Sequence, residues 1–154
     1  MRARLFGCLI LTVTAGCGGR AKPETAASPT AQFLTPYGAP TRPFSPAVRV
    51  GNMLYLSGQI GTPDATASAV VPGGIEPETR QTLENIKDVL QRTGSSMDRV
   101  VKCTVMLADM REWDRMNVVY ATYFPKNKPA RSALGANGLA LGARMEIECW
   151  ATVG

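Results

Sequence analysis

Residues 48–57, Val-Arg-Val-Gly-Asn-Met-Leu-Tyr-Leu-Ser, are typical of a β-hairpin. Two apolar runs flank the pair Gly51-Asn52, and a two-residue hairpin turn needs residues that accept positive φ. The stretch therefore predicts two antiparallel strands joined by a tight turn.

The chain after this hairpin predicts a helix and then a buried strand. The helix begins near Glu76, accepts Pro77 in its first turn and ends at Gly94, a typical helix terminator. Residues 100–107 are β-branched and alternating, which favours a strand. The apolar face of the helix is formed by Leu83, Ile86, Val89 and Leu90.

A second helix is predicted from a capping pattern. Asp109 is the expected cap, and Glu112, three residues later, would complete a capping box. Pro125 should end this helix. Its inner side would present Trp113, Met116, Tyr120 and Phe124.

Residues 144–153 predict the last strand. Glu146 and Glu148 share one face of it, and Ile147, Cys149 and Ala151 share the other. Two helices and several strands in this order predict an α+β layer, with the helices on one face of a sheet. The second face needs a cover, and a homo-oligomer with sites at its interfaces would supply one.

The start of the chain predicts export. Residues 1–16 have a basic start, a short apolar run and small residues, as in a signal peptide, and Cys17 would be lipidated. An ordinary signal peptide with a coincidental cysteine is the alternative. Residues 17–31 are expected to be a flexible tether. Residues 32–154 would be one domain, held by the lipid anchor to a bacterial membrane in the cell envelope.

Composition excludes several functions. Residues 1–31 carry four basic residues and one acidic residue, so most of the net charge of +5 lies outside the predicted domain and no nucleic-acid surface is expected. The chain contains no histidine, which removes histidine-based triads and histidine–metal centres. Cysteine spacing suggests no metal site. Cys103 and Cys149 are expected as two buried free thiols, although an oxidising compartment would allow a disulfide.

Arg131 and Glu146 are the candidate catalytic residues. The arginine fork matches the edge of a carboxylate, so a site around Arg131 would favour a small organic acid. Glu146 could then orient or deprotonate a water. A solvated surface pair is the alternative for these two residues.

Several segments in order resemble the Rid family, the reactive intermediate deaminases also called YjgF-like proteins. The resemblance covers residues 32–153, and the matching segments are 43–48, 51–52, 57–60, 79–86, 101–105, 129–132 and 146–148. It implies a chorismate-mutase-like α+β fold, with two helices on one face of a mixed sheet, assembled as a homotrimer with clefts between subunits. It also implies hydrolysis of enamines and 2-imino acids to 2-keto acids and ammonia, without a metal or organic cofactor.

The resemblance assigns roles to particular residues. Arg131 would bind the substrate carboxylate and Glu146 would serve the water, while Ser57, Gly58 and Asn117 would line the pocket. The pocket also includes two departures from the family pattern: Phe44 replaces a common tyrosine, and Ala133 replaces cysteine or valine. The alternative function is a non-catalytic trimeric module in the cell envelope that binds a small carboxylate or a partner. The family's reported ribonuclease and chaperone-like activities come third.

Overall fold

The computed structural model describes residues 28–39 and 41–154. They form one six-stranded sheet with two α-helices. The strands are β1 (Ala31–Leu34), β2 (Ala47–Val50), β3 (Met53–Leu56), β4 (Val100–Leu107), β5 (Ala130–Gly135) and β6 (Met145–Thr152). The helices are α1 (Ile75–Arg92) and α2 (Trp113–Tyr123). In the described part of the chain, no helix is long and apolar enough to cross a membrane.

The sheet has the strand order β1-β2-β3-β6-β4-β5. Neighbouring strands are antiparallel except for β4 and β5, which run parallel, so the sheet is mixed. Gly51 adopts a φ of 60° in the turn between β2 and β3, which confirms the predicted hairpin. The last strand of the sequence, β6, lies in the middle of the sheet, and β5 lies at an edge.

One face of the sheet packs against the two helices, as predicted. Alternate residues of β4 and β6, including Val105 and Ile147, are fully buried there together with Leu83, Ile86 and Leu90 of α1. The buried Glu78 of α1 accepts hydrogen bonds from the backbone N–H groups of Arg144 and Met145, at 2.7 and 3.2 Å. Because a buried carboxylate needs such donors, these bonds fix α1 against the start of β6.

The structure corrects three expectations. Asp109 caps by accepting from the backbone N–H of Arg111, at 2.9 Å, and it caps a short 3-10 helix that leads into α2. Glu112 does not complete a capping box, because its carboxylate instead pairs with the side chain of Arg144 at 2.6 Å. The expected free thiols are wrong: Cys103 and Cys149 face each other across β4 and β6 and form a disulfide.

Two strands were not predicted. The edge strand β5 follows Pro129 and contains Arg131, and β1 begins at Ala31, one residue before the predicted start of the domain. The signal peptide of residues 1–16 and the lipidated Cys17 lie outside the described residues, as does the tether up to residue 27.

Candidate active site

Arg131 lies on the edge strand, on the face that the helices cover. It pairs in register with Cys103, which is fully buried, so the side chains of both point towards the helices. Its Nη1 donates a hydrogen bond of 2.8 Å to Oδ1 of Asn117 in α2. The guanidinium carbon also lies over two aromatic rings of α2, at 4.9 Å from the centroid of Trp113 and 4.6 Å from that of Tyr120.

Arg131 differs from four other arginines in the groups that surround its charge. The side chains of Arg92, Arg111, Arg115 and Arg144 each lie within 2.6–2.8 Å of a carboxylate oxygen. Within residues 28–39 and 41–154, the guanidinium of Arg131 forms no such ion pair, and its one hydrogen-bond partner is a neutral amide. A guanidinium has five N–H donors, so most of its capacity remains for a ligand.

Ala133 follows two residues later on the same face of β5. It pairs with the buried Val105 and packs, partly buried, against the core. The structure therefore brings Arg131, Asn117 and Ala133 together as one group, and we call it the arginine group.

Glu146 lies on the opposite face of the sheet. It pairs with Met106 of β4, and its neighbours Met145 and Ile147 point into the core. Burial raises the pKa of the Glu146 carboxyl, and the negative charge of Glu148 raises it further. Both effects disfavour the charged form, so this carboxyl can exchange a proton at a higher pH than an exposed glutamate.

Gly58 lies directly against Glu146. A Cβ placed on Gly58 would overlap the Glu146 carboxylate, with the carboxylate carbon only 2.8 Å away. The contact is fixed by paired backbone hydrogen bonds of 2.8 and 2.9 Å between Gln59 and Ile147. A side chain at position 58 would therefore displace the Glu146 carboxylate.

Ser57 and Phe44 extend this second group. The Ser57 hydroxyl donates a 2.7 Å hydrogen bond to the carbonyl of Ser45, and this bond holds the loop next to Phe44. Phe44 is 48% exposed. Phe44 and Gly58 line one cleft of about 770 Å³, whose far wall is the polar side of α1. Gly58 lines this cleft and also contacts Glu146, which does not itself line the cleft. We call Phe44, Ser57, Gly58 and Glu146 the glutamate group.

One chain does not bring the two predicted catalytic residues together. Arg131 shares the covered face with Cys103, whereas Glu146 shares the open face with Met106. Side chains on opposite faces of a sheet point away from each other. A small molecule bound to Arg131 of one chain therefore cannot also contact Glu146 of the same chain.

The open face around Glu146 carries exposed apolar side chains. The rings of Tyr55 and Trp150 pack edge to face, 5.2 Å apart, and are 37% and 42% exposed. Leu134 of β5 is 47% exposed. Nearby, Lys102 donates to the Ser132 hydroxyl at 2.7 Å. An apolar face of this kind on a central sheet is typical of a surface that another chain covers.

Two residues beside Arg131 were missed as site residues. Trp113 and Tyr120 were interpreted only as inner-side residues of α2, and both do pack against the core. The signal in the sequence was Asn117, which shares one helix face with them at spacings of four and three residues. A polar residue between two aromatic residues on an inner face indicates a polar partner below.

The described residues offer no evident metal centre. No group of three or more His, Cys, Asp or Glu residues comes together in residues 28–39 and 41–154.

Known proteins are similar to this chain in sequence and fold. The family model for endoribonuclease L-PSP matches residues 36–153. A mouse protein named 2-iminobutanoate/2-iminopropanoate deaminase is 42% identical over 112 residues, which are 73% of this chain and 82% of the mouse protein. The crystal structure of YEO7_yeast superposes with a TM-score of 0.74 at 40% identity, covering 81% of this chain and all of that one. The crystal structure of E. coli TdcF with bound serine superposes with a TM-score of 0.68 at 28% identity. The match covers 75% of this chain and 91% of that one.

Proposed function

This chain belongs to the Rid or YjgF-like family, whose model is described as endoribonuclease L-PSP, and we propose that it hydrolyses small 2-imino acids and their enamines to 2-keto acids and ammonia. The observation that carries the proposal is the guanidinium of Arg131, which Asn117 orients and no carboxylate neutralises within the described residues. A small organic acid is the ligand that such a fork fits best.

The reaction needs little more than orientation. An imine carbon is already electrophilic, so fixing the substrate carboxylate on Arg131 and aiming one water at that carbon supplies most of the catalysis. Glu146 takes a proton from the attacking water as the C–O bond forms. The proton then goes to the imine nitrogen, which gives a carbinolamine. A second proton passes from the carbinolamine hydroxyl to that nitrogen through Glu146, the C=O bond forms as the C–N bond breaks, and the products are ammonia and a 2-keto acid. The raised pKa of Glu146 suits a group that both accepts and returns a proton.

We further propose that the site forms between subunits of a homotrimer. The arginine group and the glutamate group lie on opposite faces of one sheet, so the complete site needs one group from each of two chains. The exposed apolar residues of the open face support the same assembly. In this arrangement each interface contains one Arg131 and one Glu146.

Three relatives support the chemistry by name. The mouse, rat and bovine proteins named 2-iminobutanoate/2-iminopropanoate deaminase are each 42% identical to this chain. TdcF was crystallised with serine, a small amino acid with a carboxylate. A non-catalytic module that binds small acids would need Arg131 but would have no use for a carboxyl with a raised pKa beside Gly58, so the enzyme is the better interpretation.

We also propose that the protein is a lipid-anchored member of this family in the cell envelope. The proposal rests on the export pattern of residues 1–16 and on Cys17. The disulfide between Cys103 and Cys149 supports it, because disulfides persist in oxidising compartments. Cys17→Ser should move the protein from the membrane fraction to the soluble fraction. Mass spectrometry that finds an unmodified mature start elsewhere would contradict the anchor.

A mixing experiment tests the deaminase and its interface site together. 2-Imino acids are generated in place by an amino-acid oxidase, and keto-acid formation is compared with the spontaneous rate. Arg131→Ala should abolish the acceleration and Glu146→Gln should lower kcat at least about a hundredfold. Co-assembly of these two inactive variants should restore roughly a quarter of the wild-type activity, because each mixed trimer contains one interface with both residues intact.

The outcomes of this experiment are distinct. If one chain supplied both residues, the mixture would stay as inactive as its components. If the wild type gives no acceleration with a range of imines but binds small acids through Arg131, the deaminase is wrong and the binding module replaces it. Arg131→Lys, which keeps the charge and loses the planar fork, should retain only a minor part of the activity.

A further inference from the structure

Within the described residues, Arg131 is the arginine whose guanidinium lies over two aromatic rings, whereas Arg92 lies over one, that of Tyr37, and is also paired with Asp88. Four other arginines rest against carboxylates, whereas the guanidinium of Arg131 lies over the rings of Trp113 and Tyr120. Both distances are within the range of about 6 Å at which a cation is attracted to an aromatic face. The two rings therefore contact the cation without accepting its N–H hydrogen bonds, which remain available apart from the one donated to Asn117.

This difference matters because a carboxylate partner would compete with the substrate. A side-chain carboxylate on Arg131 would bind the same N–H groups that a substrate acid needs. An aromatic ring stabilises the positive charge without neutralising it and without accepting those hydrogen bonds. Asn117 takes one N–H of the five and so sets the rotation of the fork.

Tyr120 fits this role through its ring. Its hydroxyl is buried and has no hydrogen-bond partner within the described residues, so the ring face is the part that contacts the cation. Burial raises the pKa of Tyr120 to about 12. The hydroxyl therefore stays neutral at physiological pH, and no tyrosinate forms beside Arg131.

From these contacts we infer that Trp113 and Tyr120 are positioning residues, which pre-orient the Arg131 guanidinium over their rings so that its free N–H edge receives the substrate carboxylate. The inference rests on the proposed function for the identity of that carboxylate. An arginine at an open sheet edge would otherwise lose considerable side-chain freedom when it binds an acid. Because the rings already restrict the Arg131 side chain in the free protein, less conformational entropy is lost when the acid binds.

The first test needs no ligand. Side-chain 15Nε–1Hε relaxation in the full-length protein should give Arg131 an order parameter near that of rigid backbone, about 0.85, against less than about 0.6 for the exposed Arg80. Trp113→Leu should lower the value for Arg131 towards that of Arg80. Trp113→Phe, which keeps a ring, should restore it. A wild-type Arg131 as mobile as Arg80 would overturn the inference without any variant.

The second test uses 2-oxobutanoate as a stable acid probe and calorimetry as the readout. Trp113→Leu should weaken binding about tenfold, and Trp113→Phe less than about threefold. In turnover, the loss should appear in KM for 2-imino acids and be absent for a neutral 2-imino amide, which offers no carboxylate. Val118→Ala, on the exposed side of α2, serves as the control and should change neither value.

The relaxation, binding and turnover measurements distinguish a failure of the inference from a failure of the proposed function. A wild type without turnover removes the deaminase, while the relaxation and binding measurements still decide the role of the rings. An equal loss on the acid and the amide would mean that Trp113 merely supports the fold, and the inference would fail. Tyr120→Phe should behave like Trp113→Phe, because it keeps the ring that contacts the guanidinium.

Discussion

The two faces of the sheet carry charged groups of opposite sign in different surroundings. On the face covered by the helices, Arg131 is a cation held by aromatic rings and an amide. On the open face, Glu146 is a carboxyl whose nearest charged influence is another carboxylate, Glu148. Each face thus keeps a charge that lacks its complement within the described chain. Under the proposed function, each face carries half of a site and a second copy of the chain supplies the other half.

The two faces also differ in how complete they are. The apolar packing of the covered face is complete within one chain, since Val105, Ile147 and the disulfide-linked Cys103 and Cys149 are fully buried there. The open face leaves large apolar side chains exposed. Changes on the open face should therefore affect assembly and activity with little effect on the fold of a single chain.

The largest effect is expected from Trp150→Glu. Trp150 packs against Tyr55 on the open face and is 42% exposed, so a carboxylate there leaves the core intact but introduces a charge where another subunit should pack. We expect monomers by light scattering, a normal circular dichroism spectrum and activity lowered at least about a hundredfold. Trp150→Phe is the matched control and should stay assembled. An active trimer of Trp150→Glu would contradict the interface.

A smaller effect is expected from Gly58→Ala. The new methyl group would overlap the Glu146 carboxylate and force it to move, so kcat should fall by about ten- to a hundredfold with little change in KM. Gly61→Ala is the comparison, because its Cβ would meet the backbone carbonyl oxygen of Glu78 at 2.8 Å. It should lower the melting temperature, whereas Gly58→Ala should mainly lower turnover. Equal effects on both quantities in both variants would argue against a specific role for Gly58.

The pH dependence should respond to Glu148. Glu146 must be deprotonated to accept a proton, so kcat should fall as the pH decreases through its pKa, which lies above the ordinary value. The charge of Glu148 contributes to that rise, so Glu148→Gln should move the acidic limb to lower pH. Burial is the larger cause of the raised pKa and is not changed by this substitution. The pKa that the acidic limb reports should therefore stay above the ordinary value for a glutamate. A pH profile unchanged by Glu148→Gln would mean that another group controls the acidic limb.

Much of the fold could be predicted because its signals are local. The hairpin at Gly51-Asn52, the apolar stripe of α1 and the alternation in β6 each depend on a few neighbouring residues. The edge strand β5 was missed because its sequence, Ala-Arg-Ser-Ala-Leu-Gly, has no alternation of apolar and polar residues, although the exposure of its side chains alternates in the structure. The capping box failed because Arg144, distant in sequence, competes for the Glu112 carboxylate.

The site could be predicted only in part. The sequence proposes Arg131 and Glu146 as catalytic residues, but their separation onto two faces depends on the register of β4 with β5 and β6, which no local pattern reveals. The disulfide was missed for the same reason, since Cys103 and Cys149 meet only through that register. Sequence identifies chemical groups well, and it identifies their relative positions only where the pairing is local.

The smallest effect is expected from Phe44→Tyr, which tests the glutamate group at its outer edge. Phe44 is 48% exposed and lines the cleft beside Gly58, so a hydroxyl on its ring can reach water and costs little free energy. The change restores the tyrosine common in the family, and kcat/KM for 2-imino acids should stay the same or rise up to about threefold. Phe44→Ala is the matched control, since it removes the ring and should raise KM. A tenfold loss in Phe44→Tyr would mean that the cleft beside Gly58 requires an apolar wall, and the substrate would then be a more apolar acid than the proposal assumes.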